Sequence, residues 1–184
     1  MVLMRVMWPL AMCGLVACGG SDSLGPGASC GRTTGEQILQ GAVTDVHDGD
    51  TLTVAGIHRV RLAGVDAPEL SQNFGAQSRS ALKTLALGQV VSVAYSDTDR
   101  YGRLLGRVFA PGCVDVNWRL VQTGAAWFYR AYQCDLQPAQ RLSLDAAERF
   151  ARAAREGLWA EPSPVAPWYF RNGIESEVPV CPAS

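Results

Sequence analysis

The amino-acid sequence predicts an α+β fold in which a five-stranded Greek-key barrel of the OB type carries three helices. Two patterns indicate this architecture. Five short stretches rich in Val, Ile, Leu and Thr occur between residues 38 and 110, and a stretch of helical periodicity interrupts them after the third. Two further helical patterns follow the fifth stretch. The 184 residues are 48% hydrophobic, which is enough apolar material for the core of one globular domain.

The strands are predicted where apolar and polar residues alternate or where apolar residues run together. Asp48-Gly49 is a turn signal between the first two strands, and Ala55-Gly56 is the expected tip of the hairpin between the second and third. The turn sequence DTDRYG joins the last two strands. The predicted strands are 38–46, 51–55, 57–64, 90–96 and 103–110.

Three helices are predicted from apolar residues at helical spacing, and each is expected to end at a glycine. The third is expected to begin at Pro138, because the fixed φ of proline suits the first turn of a helix. The proline-rich, aromatic segment 161–173 is expected to lie over the domain in extended form, away from the residues that carry the chemistry. The predicted helices are 74–87 before Gly88, a short helix within 114–124 ending at Gly124, and 138–156 before Gly157.

The N-terminus has the pattern of an export signal. One early charge, Arg5, precedes an apolar run that is too short for a membrane span of ~20 residues. The end of the run, Leu15-Val16-Ala17-Cys18, resembles the bacterial lipoprotein box, which implies cleavage before Cys18 and acylation of that cysteine. An ordinary cleaved secretory signal is the alternative. We therefore expect an exported, lipid-anchored protein of a bacterial cell envelope, at the periplasmic face, the outer membrane or the cell surface.

Four segments follow from this pattern. They are a signal peptide (1–17), a lipidated cysteine with a flexible Gly/Ser/Thr-rich linker (18–36), a folded domain (37–173) and a C-terminal tail (174–184). Beyond Cys18 the mature chain keeps an even number of cysteines in an oxidising compartment, which predicts two disulfides in one of three pairings. These cysteines are Cys30, Cys113, Cys134 and Cys181.

Four acids lie within 22 positions of otherwise strand-like sequence: Asp48, Asp50, Asp66 and Glu69. Turn formation explains Asp48 well but explains Asp50 poorly, since aspartate is disfavoured at the start of a strand. A turn that closes the third strand could also account for Asp66 and Glu69. The alternative is a metal or acid–base site.

Two arginines favour the second interpretation. Arg61 lies in the apolar run VRLAGV, five positions before Asp66, and Arg103 follows the turn DRYG. Carboxylate oxygens for a divalent cation, a spare carboxylate as base and two guanidinium groups are the components that phosphoryl transfer requires.

Five motifs then occur in a fixed order: DGDT, RLxGVDAPE, DRYGR, WFYRAY and GLW. Together they resemble the staphylococcal nuclease (thermonuclease) family over roughly residues 38 to 171. The resemblance implies an OB barrel with three helices. It also implies calcium-dependent hydrolysis of DNA and RNA at the P–O5′ bond, which leaves 3′-phosphate ends.

The resemblance further implies a role for each matching residue. Two carboxylates and a backbone carbonyl would hold calcium, one glutamate would activate water, two arginines would hold the scissile phosphate, and three residues would contact the nucleotide. These are Asp50, Asp66 and the Ala67 carbonyl for the metal, Glu69, Arg61 and Arg103 for catalysis, and Arg100, Tyr101 and Tyr132 for the substrate.

The cofactor and partners follow from these roles. Ca²⁺ is expected, and Mg²⁺ remains open because it prefers the same hard oxygen ligands. Tyrosines stack on bases without reading them, so DNA and RNA are both expected substrates, with single strands preferred. The formal net charge of −1 provides no basic field, so affinity must come from the site itself. A monomer is expected. Two alternatives are a catalytically inactive nucleic-acid-binding lipoprotein and a structural envelope lipoprotein.

Overall fold

The computed structural model describes residues 30–31 and 33–182 of the protein. The predicted signal peptide, the lipidation site at Cys18 and most of the linker therefore lie outside the described residues. Within the described part of the chain, no helix combines the length and the apolar character needed to cross a membrane.

Five strands close into the predicted barrel. β1 (Gln37–Val46) pairs antiparallel with β2 (Thr51–Val54) on one side and with β5 (Val90–Thr98) on the other. β5 continues to β6 (Leu104–Ala110), also antiparallel. β3 (His58–Leu62) pairs antiparallel with β2 and parallel with β6, and this last pairing closes the sheet. The predicted α+β fold with an OB-type five-stranded barrel is confirmed.

Three two-residue strands were not predicted, because so short a segment shows no periodicity. β7 (Val114–Asp115) extends the sheet beside β6. β4 (Val65–Asp66) and β8 (Trp127–Phe128) form a second, small antiparallel sheet in which Asp66 pairs with Trp127. This small sheet brings the aromatic segment that begins at Trp127 against the acidic loop after β3.

The three predicted helices are confirmed, and a fourth is added. The third helix ends before the predicted Gly157, because Arg155 adopts a left-handed φ of 55° and stops it. The extended form predicted for 161–173 is wrong in part, since Pro167 begins a short helix that Gly173 ends with a φ of 70°. The helices are α1 (Gly75–Ala86), α2 (Val116–Gln122), α3 (Pro138–Ala154) and α4 (Pro167–Asn172), with 3₁₀ turns at Arg130–Asp135 and Gly157–Ala160.

The main core fills the barrel and continues under α1, α2 and α3. Leu52, Leu62, Leu82 and Leu120 are among its fully buried side chains. A second cluster lies under the C-terminal segment and consists of Trp127, Ala151, Leu158, Trp159 and Ala166, with Phe74 and Trp168 packed against it. Burying aromatic side chains of this size removes a large apolar area from water. The second cluster therefore holds α4 close to β8.

Two disulfides join the four cysteines, as predicted, and the structure decides their pairing. Cys30 is joined to Cys113, and Cys134 is joined to Cys181. The second bond, together with a hydrogen bond from the Gln133 side chain to the Pro179 carbonyl at 2.7 Å, ties the chain after α4 to the 3₁₀ turn before α3.

Replacing Cys134 and Cys181 together with serine is expected to lower the free energy of unfolding by about 2–4 kcal/mol, since the bond restricts the unfolded chain. Urea titration followed by far-UV circular dichroism measures this loss. The Cys30/Cys113 double serine variant, which lacks the other disulfide, is the comparison and is expected to lose a similar free energy of unfolding. An unchanged unfolding midpoint for Cys134/Cys181 would contradict the prediction.

Candidate active site

Asp50 lies just before β2 and is held by a network of local bonds. Its backbone N–H donates to Asp48 Oδ1 at 3.0 Å, so Asp48 shapes the turn, as predicted. Its carboxylate accepts the Ala67 backbone N–H at 2.7 Å and the Thr51 hydroxyl at 3.2 Å. Asp50 is only 5% exposed. The bond to Ala67 places the acidic turn against the loop that follows β4.

Two glycines permit the close packing of these loops. A Cβ at Gly49 would collide with the side chains of Ser78 and Ala67, so α1 could not approach the turn. A Cβ at Gly75 would collide with the carbonyl oxygen of Glu69. Either substitution would displace one of the candidate catalytic loops.

Asp66 and Asp50 share one arginine. Asp66 is fully buried, and its Oδ1 accepts a hydrogen bond from Arg61 Nη2 at 2.7 Å. Arg61 Nη1 makes an ion-pair contact with Asp50 Oδ1. Arg61 lies on the face of β3 opposite to the core residues Val60 and Leu62, because successive strand side chains alternate. One guanidinium thus compensates two buried negative charges.

Glu69 lies on the loop between β4 and α1, and Gln72 fixes its backbone. The Glu69 N–H donates to the Gln72 side-chain oxygen at 3.2 Å, and the Gln72 N–H donates to the Glu69 carbonyl at 2.8 Å. The Glu69 side chain is 38% exposed, in contrast to Asp66. A carboxylate with this exposure can reach a water molecule, which a general base requires.

Arg103 does not contact Asp50, Asp66 or Glu69 and lies beside them. Its guanidinium donates to Asp99 Oδ2 at 2.7 Å. Burial would raise the pKa of Asp99, but hydrogen bonds from Arg103 and Tyr101 outweigh it and lower the pKa, so Asp99 stays charged. Arg103 comes two residues before Leu105, the β6 partner of Arg61, which separates the two arginine backbones by about 8 Å.

The predicted nucleotide-contacting residues are available at the surface. Tyr101 is 68% exposed and Tyr132 is 58% exposed. The guanidinium of Arg100 lies 4.9 Å from the centre of the Tyr101 ring. The Tyr132 ring lies 5.3 Å from Tyr129. The guanidinium of Arg103 also lies 5.4 Å from the centre of the Tyr101 ring. Both tyrosines are exposed enough to contact a base from solution.

The expectation that the C-terminal segment stays away from the catalytic residues is wrong. Arg171 of α4 donates from Nη2 to Asp66 Oδ2 at 2.8 Å and from Nη1 to Glu69 Oε1 at 2.7 Å. A longer contact joins Nη1 to Asp66 Oδ1 at 3.3 Å. No motif in the sequence signalled this residue. The arginine among the aromatic residues of PWYFR was the available hint, since an arginine within a packing segment needs a carboxylate partner.

Tyr129 is a second residue that the sequence did not single out. Burial raises the pKa of Tyr129, and the charge of Asp66 adds to the effect, so its hydroxyl stays protonated at neutral pH.

For Arg171, burial alone would lower the pKa, but hydrogen bonds to Asp66 and Glu69 raise it. Arg171 is therefore a permanent cation within the acidic group.

The oxygen donors suit a hard divalent cation that keeps several of its waters. Asp50 and Asp66 face one shared guanidinium, and the Ala67 backbone is held beside Asp50. Across residues 30–31 and 33–182, no three His, Cys, Asp or Glu side chains form a metal-binding group. Two carboxylates, one carbonyl and water fit Ca²⁺ or Mg²⁺, which accept oxygen ligands and bound water.

Comparison with known proteins decides the family. The family model described as staphylococcal nuclease homologue matches residues 59–161. This chain belongs to that family. An uncharacterized endonuclease of Escherichia coli O157:H7 is 41% identical over 137 residues, which cover 73% of this chain and 86% of that protein. A micrococcal nuclease of Shigella flexneri is 39% identical over 149 residues, covering 75% of this chain and 83% of that protein.

The family extends to plants. A probable staphylococcal-like nuclease of Oryza sativa subsp. japonica is 38% identical over 115 residues, covering 62% of this chain and 33% of that longer protein. Membership of the staphylococcal nuclease family confirms the predicted resemblance and supports a hydrolytic nuclease activity on nucleic acid. The matched segment 59–161 includes Arg61, Asp66, Glu69 and Arg103, whereas Arg171 lies outside it.

Proposed function

We propose that the protein is a calcium-dependent phosphodiesterase that cleaves DNA, RNA or both at the P–O5′ bond and leaves 3′-phosphate ends. The observation that carries the proposal is the convergence of two buried carboxylates, a shared arginine and a half-exposed glutamate on neighbouring loops. Family membership supports the same chemistry. Mg²⁺ is the alternative cofactor, because it also prefers hard oxygen ligands.

Each residue has a distinct task in this mechanism. Asp50, Asp66 and the Ala67 carbonyl would hold Ca²⁺, which supplies positive charge next to the scissile phosphate. Glu69 accepts a proton from the water whose oxygen attacks phosphorus. The bond to the 5′-oxygen breaks, and that oxygen leaves with its electron pair and takes a proton from solvent water, while Glu69 releases its proton to solvent. Arg61 and Arg103 neutralise the charge that grows on the phosphate oxygens.

Substrate binding is assigned to the exposed aromatic and basic residues. Tyr101 and Tyr132 would stack on bases, and Arg100 would contact a terminal phosphate. Stacking on an exposed ring requires unpaired bases, so we propose a preference for single strands. We further propose a monomer that is exported and lipid-anchored through Cys18 in the cell envelope, which agrees with the presence of two disulfides.

Purified protein comprising residues 19–184 is expected to degrade single-stranded DNA and RNA with millimolar Ca²⁺ and to lose activity in EDTA. Electrophoresis of end-labelled substrate, with and without phosphatase treatment, detects cleavage and identifies 3′-phosphate ends. The Asp50→Asn/Asp66→Asn variant, purified in parallel, excludes a contaminating nuclease. Absence of cleavage with Ca²⁺ or Mg²⁺ would refute the proposal.

A further inference from the structure

Helix α4 places the guanidinium of Arg171 against two carboxylates, the proposed metal ligand Asp66 and the proposed general base Glu69. Arg171 contacts both oxygens of Asp66, at 2.8 Å and 3.3 Å, and reaches Glu69 at 2.7 Å. It therefore occupies lone pairs of a proposed metal ligand and of the proposed base at the same time. A carboxylate held in such a bidentate contact is less available to a metal ion, and the Glu69 oxygen that accepts from Arg171 is less free to contact a water molecule.

The two arginines of the group differ in how firmly they are held. The Arg61 side chain is 15% exposed and lies in β3, which is bonded to β2 and β6 on its two sides. The Arg171 side chain is 34% exposed and belongs to a helix of six residues. A divalent cation between Asp50 and Asp66 would repel both guanidinium groups. Arg171 is the one that can move away without breaking the barrel.

We infer that Arg171 is a built-in counter-ion of the proposed metal site, and that divalent cation binding displaces it, together with α4, from Asp66 and Glu69. The inference rests on the proposed function. Without the cation the contact is autoinhibitory, because it covers a ligand and the base together. Binding of the cation frees both groups in one step.

The packing of α4 permits a limited movement of this kind. Trp168 stacks on Tyr129 at 5.3 Å and meets the edge of Trp127 at 5.3 Å, and its indole N–H donates to Glu175 at 3.0 Å. On one side of α4, Gln72 donates to the Val165 carbonyl at 2.5 Å. On the other side, the Cys134–Cys181 disulfide fixes the chain. The helix is thus tethered at both ends, so displacement stays local and reversible.

Calorimetric titration of the purified mature protein with Ca²⁺ alone tests the competition. The Arg171→Ala variant is expected to bind Ca²⁺ about tenfold more tightly than the unchanged protein, a difference of ~1.4 kcal/mol. Arg149→Ala removes the same charge from an exposed pair with Asp145 on α3 and is expected to leave the affinity unchanged. Equal or weaker binding by Arg171→Ala would overturn the inference.

Hydrogen exchange of residues 165–173 tests the displacement separately. Saturating Ca²⁺ is expected to speed amide exchange in this segment of the unchanged protein and to alter the fluorescence of Trp168, with Trp168→Phe identifying the signal. Slower or unchanged exchange would show that Arg171 acts through its charge without movement, and would overturn the displacement.

The two proposals fail in different ways. If neither the unchanged protein nor Arg171→Ala binds Ca²⁺ or Mg²⁺, the metal-dependent function fails and the inference fails with it. If both bind a cation with equal affinity and the protein cleaves DNA, only the inference fails.

Discussion

Glu69→Gln is expected to lower the rate of phosphodiester cleavage by about 10²–10⁴-fold, which is the usual contribution of a general base. Glutamine keeps the shape of the side chain but cannot accept a proton from water. Substrate binding should change little, because the contacts proposed for the phosphate and for the nucleobases are made by other residues. Single-turnover cleavage of an end-labelled oligonucleotide gives the rate, and filter binding gives the affinity.

Glu177→Gln is the matched control, since it removes the same charge from an exposed position in the tail. It is expected to cleave at the rate of the unchanged protein. A Glu69→Gln variant with full activity would remove Glu69 from its role as base. Loss of both binding and cleavage would instead favour a structural role, through the loop that Gln72 and Gly75 support.

Arg61→Ala is expected to lower the free energy of unfolding of the metal-free protein by about 3–5 kcal/mol. The substitution leaves Asp50 and Asp66, which are 5% and 0% exposed, without the guanidinium that both contact. Arg171 would compensate Asp66 only. Cleavage should also fall strongly, because the scissile phosphate loses one of its two proposed arginine contacts.

The stability effect is measured by urea unfolding in EDTA and again in millimolar Ca²⁺. Ca²⁺ is expected to restore part of the loss, because the cation would take over the charge of both carboxylates. Arg59→Ala is the control on the same strand, where the side chain is exposed, and should cost less than about 0.5 kcal/mol. A loss as small as that of Arg59→Ala would contradict the proposed role of Arg61 as the shared counter-ion.

The barrel and its three main helices could be predicted because their signals are local. β2 and β3 alternate polar and apolar residues along the sequence, Pro138 marks the start of α3, and Gly88 and Gly124 lie just beyond the ends of α1 and α2. Each signal occupies a few consecutive residues and reflects their backbone preferences. The folded structure keeps the strand or helix that these preferences favour.

The candidate site was also visible in the sequence, but for a different reason. Asp50, Arg61, Asp66 and Glu69 lie within 20 positions, on loops and strands that the barrel topology folds together. Their chemistry was suggested by residue types that are costly to bury without a partner. The structure adds what each carboxylate touches, and it separates the buried pair Asp50 and Asp66 from the more exposed Glu69.

The contacts between distant segments were decided by the tertiary structure alone. The cysteine pairing and the small sheet of β4 and β8 leave no periodic or compositional trace. The approach of Arg171 to Asp66, 105 residues away in the chain, leaves only the hint of an arginine within an aromatic segment. Such contacts depend on which surfaces meet after the barrel and α3 have packed, and the chain carries no local preference for them. The sequence thus determined the barrel and the acids it displays, whereas packing of the C-terminal segment decided that a second arginine, beside Arg61, lies on those acids.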